Sequence, residues 1–226
     1  MTVKSKTVTI IHTSLVSHAH LNELFARYIP EAEIHNIVDD SLLKETSANG
    51  AITPGVINRM CKYFDAAASL GSDLIFNQCS SVGEAAAIAA KIVKVPVLRV
   101  DEAMAEKAVE LGTKIGVVAT VSSTVAPSCN LVAAKAEAIG KKIEVVRYLV
   151  DGAMQILIDG DGSPEARQKH NALVKQTVVT CAQECDVVVL AQGSMVVLLP
   201  ELADIKKPVL SSPELGVQKA RKMLYG

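Results

Sequence analysis

Short apolar runs that end in small polar residues recur along the chain, and this pattern constrains the fold more than any other feature. Four of these runs lead into Cys79, Thr120, Gln192 and Ser211. They alternate with sequence typical of helices, as in repeated βαβ units. Hydrophobic residues make up 50% of the chain but aromatic residues only 3%, which suits buried parallel strands covered by helices on both faces. The sequence therefore predicts an α/β fold with parallel sheets.

Charge and cysteine usage narrow the range of partners and compartments. Lys and Arg number 23 and Asp and Glu 24, for a net charge of −1, so we expect neither a nucleic-acid partner nor membrane binding. The N-terminus lacks an apolar signal segment, and no run approaches the length of a membrane span. Five cysteines without disulfide-framework spacing fit reduced thiols. We therefore expect a cytoplasmic protein.

Patterns that would indicate a metal or a nucleotide cofactor are weak. Asp159, Asp161 and Ser163 are spaced like the start of a calcium loop, but His170 stands at the twelfth position, where such a loop needs a bidentate Glu. No glycine-rich dinucleotide or Walker-type motif follows a strand. We expect no metal and no cofactor.

Cys79 is the residue with the clearest chemical potential. It follows an apolar run at 73–78 and precedes a small-residue helix predicted over 81–93, and ligands of open parallel sheets bind beyond the carboxyl ends of the strands. The helix N-terminus favours a thiolate, which can act as a nucleophile or a proton acceptor. The alternative is an inert buried cysteine. We expect that inert state for the other four cysteines, namely Cys61, Cys129, Cys181 and Cys185.

Neutral polar residues follow the other predicted strands and would reach the same edge of the sheet. Such donors suit a small anionic substrate. The predicted substrate-binding residues are Ser14, Asn77, Ser80, Ser81, Thr120, Ser123, Thr124, Gln192, Gly193 and Ser194. His12 ends the first strand and can both donate and accept a proton near neutral pH. We predict it as a second catalytic acid or base beside Cys79, the alternative being that it only orients the substrate or binds a backbone carbonyl.

Five short motifs occur in the order found in one known family. They are NQCSSVG at 77–83, GVVAT at 116–120 with Thr124 nearby, VDG at 150–152, QGS at 192–194 and PVLSS at 208–212. With these motifs the chain resembles the aspartate/glutamate/hydantoin racemase superfamily over nearly its whole length. The resemblance implies two similar Rossmann-like or flavodoxin-like lobes, an active site in the inter-lobe cleft, no cofactor and a homodimer or higher homo-oligomer. It also implies that the small anionic substrate is an amino acid, a hydantoin or a dicarboxylate-like compound. In those racemases two cysteines flank the substrate carbon, and each exchanges a proton on one face.

The second cysteine of that pattern is missing here. Gln192 stands where the two-cysteine members carry it, and glutamine cannot ionise. A racemase or isomerase that moves a proton with Cys79 remains our first hypothesis. A one-cysteine decarboxylase or carbon–carbon lyase is the second, since it needs a proton on one face only. The third is a small-molecule sensor that has lost catalysis.

The predicted elements divide the chain into three stretches. Residues 1–100 form a first α/β lobe and residues 101–207 a second, while the strand and helix of 208–226 return to the first lobe, as the resemblance implies. Thr53 and Ser163, each followed by proline, are predicted helix N-caps.

Overall fold

The computed structural model describes residues 5–226, and its strands follow the predicted apolar runs. Most residues of the four central strands are buried. The strands are β1 (Thr7–His12), β2 (Glu33–Val38), β3 (Leu74–Asn77), β4 (Val97–Arg99), β5 (Lys114–Ala119), β6 (Glu144–Leu149), β7 (Val187–Leu190) and β8 (Val209–Ser211).

Helices connect successive strands throughout the described part of the chain. They are α1 (His18–Tyr28), α2 (Ser41–Asn49), α3 (Pro54–Ser69), α4 (Gly83–Ala89), α5 (Glu102–Leu111), α6 (Ser122–Ala138), α7 (Ala153–Asp159), α8 (Pro164–Glu184) and α9 (Ser212–Tyr225), with 3₁₀ helices at Ser80–Val82 and Gly193–Leu202. The hydroxyls of Thr53 and Ser163 accept hydrogen bonds from the backbone N–H groups of Val56 and Ala166, so both predicted N-caps are confirmed. Among residues 5–226, no helix combines the length and apolar character needed to cross a membrane.

The strands form two four-stranded sheets, ordered β2-β1-β3-β4 and β6-β5-β7-β8. All of these pairings are parallel. One face of the first sheet packs with α1 and α9 and the opposite face with α3 and α4. The predicted parallel α/β architecture with helices on both faces is therefore confirmed.

The chain separates into two compact units. The first comprises Met1–Ala103 and Pro213–Gly226, and the second comprises Met104–Ser212. The predicted return of the whole 208–226 segment needs correction at its strand. β8 pairs with β7, with Leu190 opposite Ser211, because its short apolar sequence completes the edge of the second sheet. Only α9 packs into the core of the first unit.

Glycine is required in the core of the second unit. A Cβ atom at Gly116, in the central strand β5, would lie 2.0 Å from the Cys181 Sγ and 3.1 Å from the Cys185 Sγ. The two thiols of α8 therefore pack directly on the strand backbone, and a larger side chain at this position would force them apart.

Candidate active site

Cys79 follows β3 and begins the first 3₁₀ helix. Its backbone is extended, with φ −118° and ψ 122°, and its half-buried side chain packs against the buried cluster that includes Ile11 and Ile75. The side-chain amide of Asn77, fully buried at the end of β3, donates a hydrogen bond of 2.9 Å to the Cys79 carbonyl oxygen. The turn thus holds one partly accessible thiol at the carboxyl end of the sheet.

The helical segment after Cys79 is shorter than the sequence predicts. The expected helix over 81–93 is a 3₁₀ turn at Ser80–Val82 followed by the seven-residue α4. Turns continue the chain after Ala89, with the Lys91 N–H bonded to the Ile88 carbonyl and the Ile92 N–H to the Ala89 carbonyl, and β4 begins at Val97. The side chains of Ser80 and Ser81 are buried in this turn.

A glutamine next to Cys79 links β3 to the loop after β1. The Oε1 atom of Gln78 lies 3.5 Å from the Thr13 backbone nitrogen, which donates to it. Its Nε2 donates to the Ser17 hydroxyl, and Ser14 lies half-buried in the same loop. These contacts tie the β1 loop to the Cys79 turn.

His12 lies on the opposite face of the first sheet from Cys79. Side chains alternate along a strand, so His12 shares the face of Val8 and Ile10, whereas Cys79 packs with Ile11 on the other face. His12 is fully buried, and its ring centroid lies 5.1 Å from that of His18. His12 thus lies at the predicted strand end, and its side chain occupies the other face of the sheet from Cys79.

A chain of amides fixes the proton on the His12 ring. Asn22 donates from Nδ2 to the His18 carbonyl at 2.8 Å, so its Oδ1 is free to accept from Asn36 Nδ2 at 3.3 Å. The Asn36 Oδ1 then faces His12 Nε2 at 2.8 Å. His12 must carry its hydrogen on Nε2, which leaves Nδ1 as an acceptor.

Burial lowers the pKa of His12 from its ordinary value, although the bond to Asn36 opposes that effect and nearby His18 adds to it. The ring is therefore neutral at pH 7, with its one hydrogen engaged by Asn36. Nδ1 is buried and has no hydrogen-bond partner within residues 5–226. These contacts fit an orienting role for His12 better than proton transfer.

In the second unit, Gln192 occupies the position equivalent to Cys79. Both residues follow the third strand of their sheet by two positions and begin a 3₁₀ helix with an extended backbone, at φ −113° and ψ 133° for Gln192. The Thr120 backbone N–H donates to Gln192 Oε1 at 2.8 Å, and Gln192 Nε2 donates to Thr120 Oγ1 at 2.8 Å. The two side chains are locked together.

The remaining predicted binding residues of the second unit lie near the same strand ends. Ser123 and Thr124 are buried in the first turn of α6, which follows Thr120. Gly193 is half-buried and Ser194 is exposed at the start of the 3₁₀ helix after Gln192. The structure thus brings the predicted residues together at one edge of each sheet.

The other cysteines lie away from these edges. Cys129, Cys181 and Cys185 are buried, as predicted, and Cys61 is half-buried on α3. Burial raises the pKa of the Cys129 thiol. Burial and then the neighbouring Cys185 raise the pKa of Cys181, so these thiols are held in the protonated, unreactive form.

Sequence reasoning did not single out an ion pair near Cys79. Arg99 ends β4, and both Nε and Nη2 of its guanidinium donate to the carboxylate of Asp101, at 3.0 and 2.9 Å. A charged residue at the end of an apolar run, followed two positions later by its counter-ion, is the signal that would have identified it.

The chain resembles known proteins in its sequence pattern and in its fold. The family model for Asp/Glu/Hydantoin racemase matches residues 10–220, whereas none of the curated proteins compared with the chain shows a match. Several solved structures share the fold, among them three racemases. Glutamate racemase RacE1 from Bacillus anthracis is 18% identical with a TM-score of 0.72, covering 98% of this chain and 82% of its own.

The other two are similarly distant in sequence. Aspartate racemase from Picrophilus torridus is 17% identical with a TM-score of 0.67, covering 96% of this chain and 95% of its own. Allantoin racemase from Klebsiella pneumoniae is 17% identical with a TM-score of 0.67, covering 97% and 87%. At identities this low, the structural similarity establishes the shared fold alone. The match to the family model adds the sequence relationship. The chain belongs to the Asp/Glu/hydantoin racemase family.

Proposed function

We propose that the protein is a cofactor-independent enzyme of the racemase type that moves a proton at the carbon next to a carboxylate or cyclic amide carbonyl, with Cys79 as the proton-transfer residue. Family membership supports the reaction type. The observation that carries the assignment is the half-buried Cys79 at a strand end, whose backbone carbonyl is held by the Asn77 amide. A thiolate positioned in this way can act as a general base.

The reaction needs two steps at the substrate carbon. The Cys79 thiolate takes the α-proton, and the electron pair of the broken C–H bond moves onto the adjacent carbonyl to form an enolate. A proton is then returned to the carbon, from Cys79 or from a second donor. Hydrogen-bond donors aimed at the enolate oxygen stabilise this intermediate most.

The pair formed by Thr120 and Gln192 in the second unit has hydrogen-bond donors of its own. Because Gln192 Oε1 accepts from the Thr120 N–H, its Nε2 is the atom bonded to Thr120 Oγ1, which acts as the acceptor. One hydrogen on Nε2 and the hydroxyl hydrogen of Thr120 are then left to donate. We propose that this pair binds a carboxylate or carbonyl oxygen of a small anionic substrate. Further donors would come from Ser14, Ser80, Ser81, Ser123, Thr124, Gly193 and Ser194.

His12 has a supporting role in this proposal. Its ring is neutral, buried and bonded through Nε2 to Asn36, so it has no available proton to return to a substrate. We assign it to holding β1 and its loop in place.

A second candidate is a one-thiol decarboxylase or carbon–carbon lyase. The observation that favours it is Gln192, because the position equivalent to Cys79 carries an amide that cannot exchange a proton. A lyase would use Cys79 only to protonate the carbanion left by bond cleavage.

Proton NMR in D₂O tests the proposal on aspartate, glutamate, a 5-substituted hydantoin and a substituted malonate. We expect deuterium to enter the α position of at least one substrate with the wild-type protein and not with Cys79→Ala. Release of carbon dioxide would instead support the lyase. Exchange that persists in Cys79→Ala would contradict the role of the thiol, and no turnover of any substrate would favour a binding protein.

A further inference from the structure

The Arg99 side chain lies in a fixed position near the Cys79 turn, and the proposed chemistry does not use it. It is 13% exposed, and its counter-ion Asp101 is 1% exposed. Two parallel hydrogen bonds from Nε and Nη2 to the Asp101 carboxylate, at 3.0 and 2.9 Å, fix the plane of the guanidinium. Such a buried bidentate pair restricts the arginine to one orientation.

The fixed guanidinium packs against the backbone of Gly83. A Cβ atom at Gly83 would lie 2.3 Å from the Arg99 Cζ, 2.4 Å from Nη2 and 2.8 Å from Nε. Only glycine permits this approach. The Gly83 N–H donates to the Ser80 carbonyl and thereby closes the 3₁₀ turn that Cys79 begins, so Arg99 contacts the last residue of that turn.

The turn is consequently held at both ends. At its start, Asn77 Nδ2 bonds to the Cys79 carbonyl at 2.9 Å. Its other end lies against Arg99, which stands opposite Asn77 in the pairing of β3 with β4. The Val100 N–H donates to the Asn77 carbonyl at 2.9 Å, which joins the two supports. Both supports belong to the first unit.

We propose that Arg99, held by Asp101, is a positioning residue that fixes the Cys79 thiol through the Ser80–Gly83 turn. This inference rests on the proposed function in that it takes Cys79 as the reactive group. It requires the planar, bidentate shape of the guanidinium rather than its charge alone, so lysine cannot replace it.

Hydrogen exchange of the backbone amides tests the contact without a substrate. In Arg99→Ala we expect the amides of residues 79–84 to exchange about tenfold faster or more than in the wild type. Arg99→Lys should behave in the same way. Guanidinium added at concentrations well below those that unfold proteins should restore slow exchange in Arg99→Ala, by filling the space between Asp101 and Gly83. The turn after β7, which Gln192 begins, is the internal control and should not change.

Kinetics separate positioning from general structural support. For any substrate that exchanges its α-proton, Arg99→Ala should lower kcat by about tenfold or more while KM stays unchanged, and guanidinium should restore kcat. Arg221→Ala is the matched control, since Arg221 forms an exposed ion pair with Glu31 in the same unit, and it should leave both values unchanged.

Unchanged amide exchange in Arg99→Ala would overturn the inference, whether or not any substrate turns over. A lowered kcat that guanidinium does not restore would also overturn it. Failure of the wild-type protein to exchange any substrate would count against the proposed function instead, and the amide exchange would still decide whether Arg99 holds the turn.

Discussion

The carboxyl-terminal edges of the two sheets share one backbone plan but differ in the chemistry of their side chains. Cys79 in the first unit corresponds to Gln192 in the second, and His12 corresponds to Ala119, because each pair occupies the same place in sheets of the same order. At these positions the first edge carries two titratable groups, and the second carries only neutral ones. The two units therefore share a scaffold, and the proposed proton transfer by Cys79 belongs to the first unit.

Conserved details of the scaffold support this correspondence. Asp73 accepts a hydrogen bond from the Thr7 N–H at 2.9 Å, and Asp186 accepts one from the Lys114 N–H at 2.9 Å. Asp73 thus joins the start of β3 to β1, and Asp186 joins the start of β7 to β5. Bonds from Lys114 and Thr113 lower the pKa of Asp186, although burial opposes them.

The interiors also differ at equivalent positions. Thr9 in β1 bonds through its hydroxyl to Ser72 at 2.6 Å, whereas the corresponding β5 residue, Gly116, leaves room for the thiols of Cys181 and Cys185. At this position the first unit has a hydrogen bond, and the second unit has close packing of two thiols on the strand backbone. Substitutions at Thr9 and Gly116 should therefore fail for different reasons.

The largest effect on stability is expected for Gly116→Ala. Its new methyl group would overlap the Cys181 Sγ, and overpacking a filled core at this distance should lower the free energy of unfolding by about 3 kcal/mol. Urea denaturation followed by circular dichroism measures it. The double variant Gly116→Ala/Cys181→Ala should lose less than the sum of the two single losses. Strict additivity would show that the two groups do not meet.

The next largest effect is expected on the KM of the substrate, when the contact between Gln192 and Thr120 in the second unit is removed. Gln192→Leu removes both bonds to Thr120 and should raise KM by about tenfold, the equivalent of one or two lost hydrogen bonds. Gln192→Glu should be worse, because a carboxylate accepts from both Thr120 donors and repels an anionic substrate. Equal KM values for the two variants would show that the donor pair does not face the substrate.

A smaller effect is expected for Thr9→Val in the first core. Loss of the bond to Ser72 should lower the free energy of unfolding by about 1 kcal/mol. Thr9→Ser keeps the hydroxyl and is the matched control for that bond. A valine variant at least as stable as the serine variant would show that this core, like the second, depends on packing alone.

The smallest effect is a change of stability with pH at His12. Its pKa is lowered in the folded protein, so below the ordinary value the unfolded chain binds a proton that the folded chain does not. Stability should fall as the pH drops below the ordinary histidine pKa of about 6.5, by at most about 1.4 kcal/mol per pH unit. His12→Gln removes the titrating ring and should flatten this part of the profile. The equivalent residue of the second unit, Ala119, likewise carries no titratable group. The midpoint of urea unfolding at each pH measures the change in stability. A His12→Gln variant with the same dependence of stability on pH as the wild type would contradict the buried neutral ring.

Much of the fold could be predicted because apolar strands and capped helices leave local signals. Thr53-Pro and Ser163-Pro marked two helix starts correctly. The placement of β8 could not be predicted in this way, because a three-residue edge strand pairs according to tertiary packing. The early end of α4 at Ala89 was similarly hidden, since the alanine-rich sequence favours a longer helix.

The candidate site was only partly predictable. The position of Cys79 at a strand end follows from the sequence, and the locking of Gln192 to Thr120 does not, because it joins residues far apart in the chain. The sequence places His12 at the carboxyl end of β1 beside the Cys79 turn, but a position at a strand end does not by itself fix the face of the sheet. The alternation of side chains along the strand puts His12 on the other face.

The most direct test of the central claim compares the two equivalent positions in one assay. The rate of α-proton exchange in D₂O is measured for Cys79→Ala and Gln192→Ala on the same substrate. The account predicts a loss of about a thousandfold for Cys79→Ala, as expected when a general base is removed, and about tenfold for Gln192→Ala. Losses of equal size, or exchange that survives in Cys79→Ala, would contradict the assignment of proton transfer to the first unit alone.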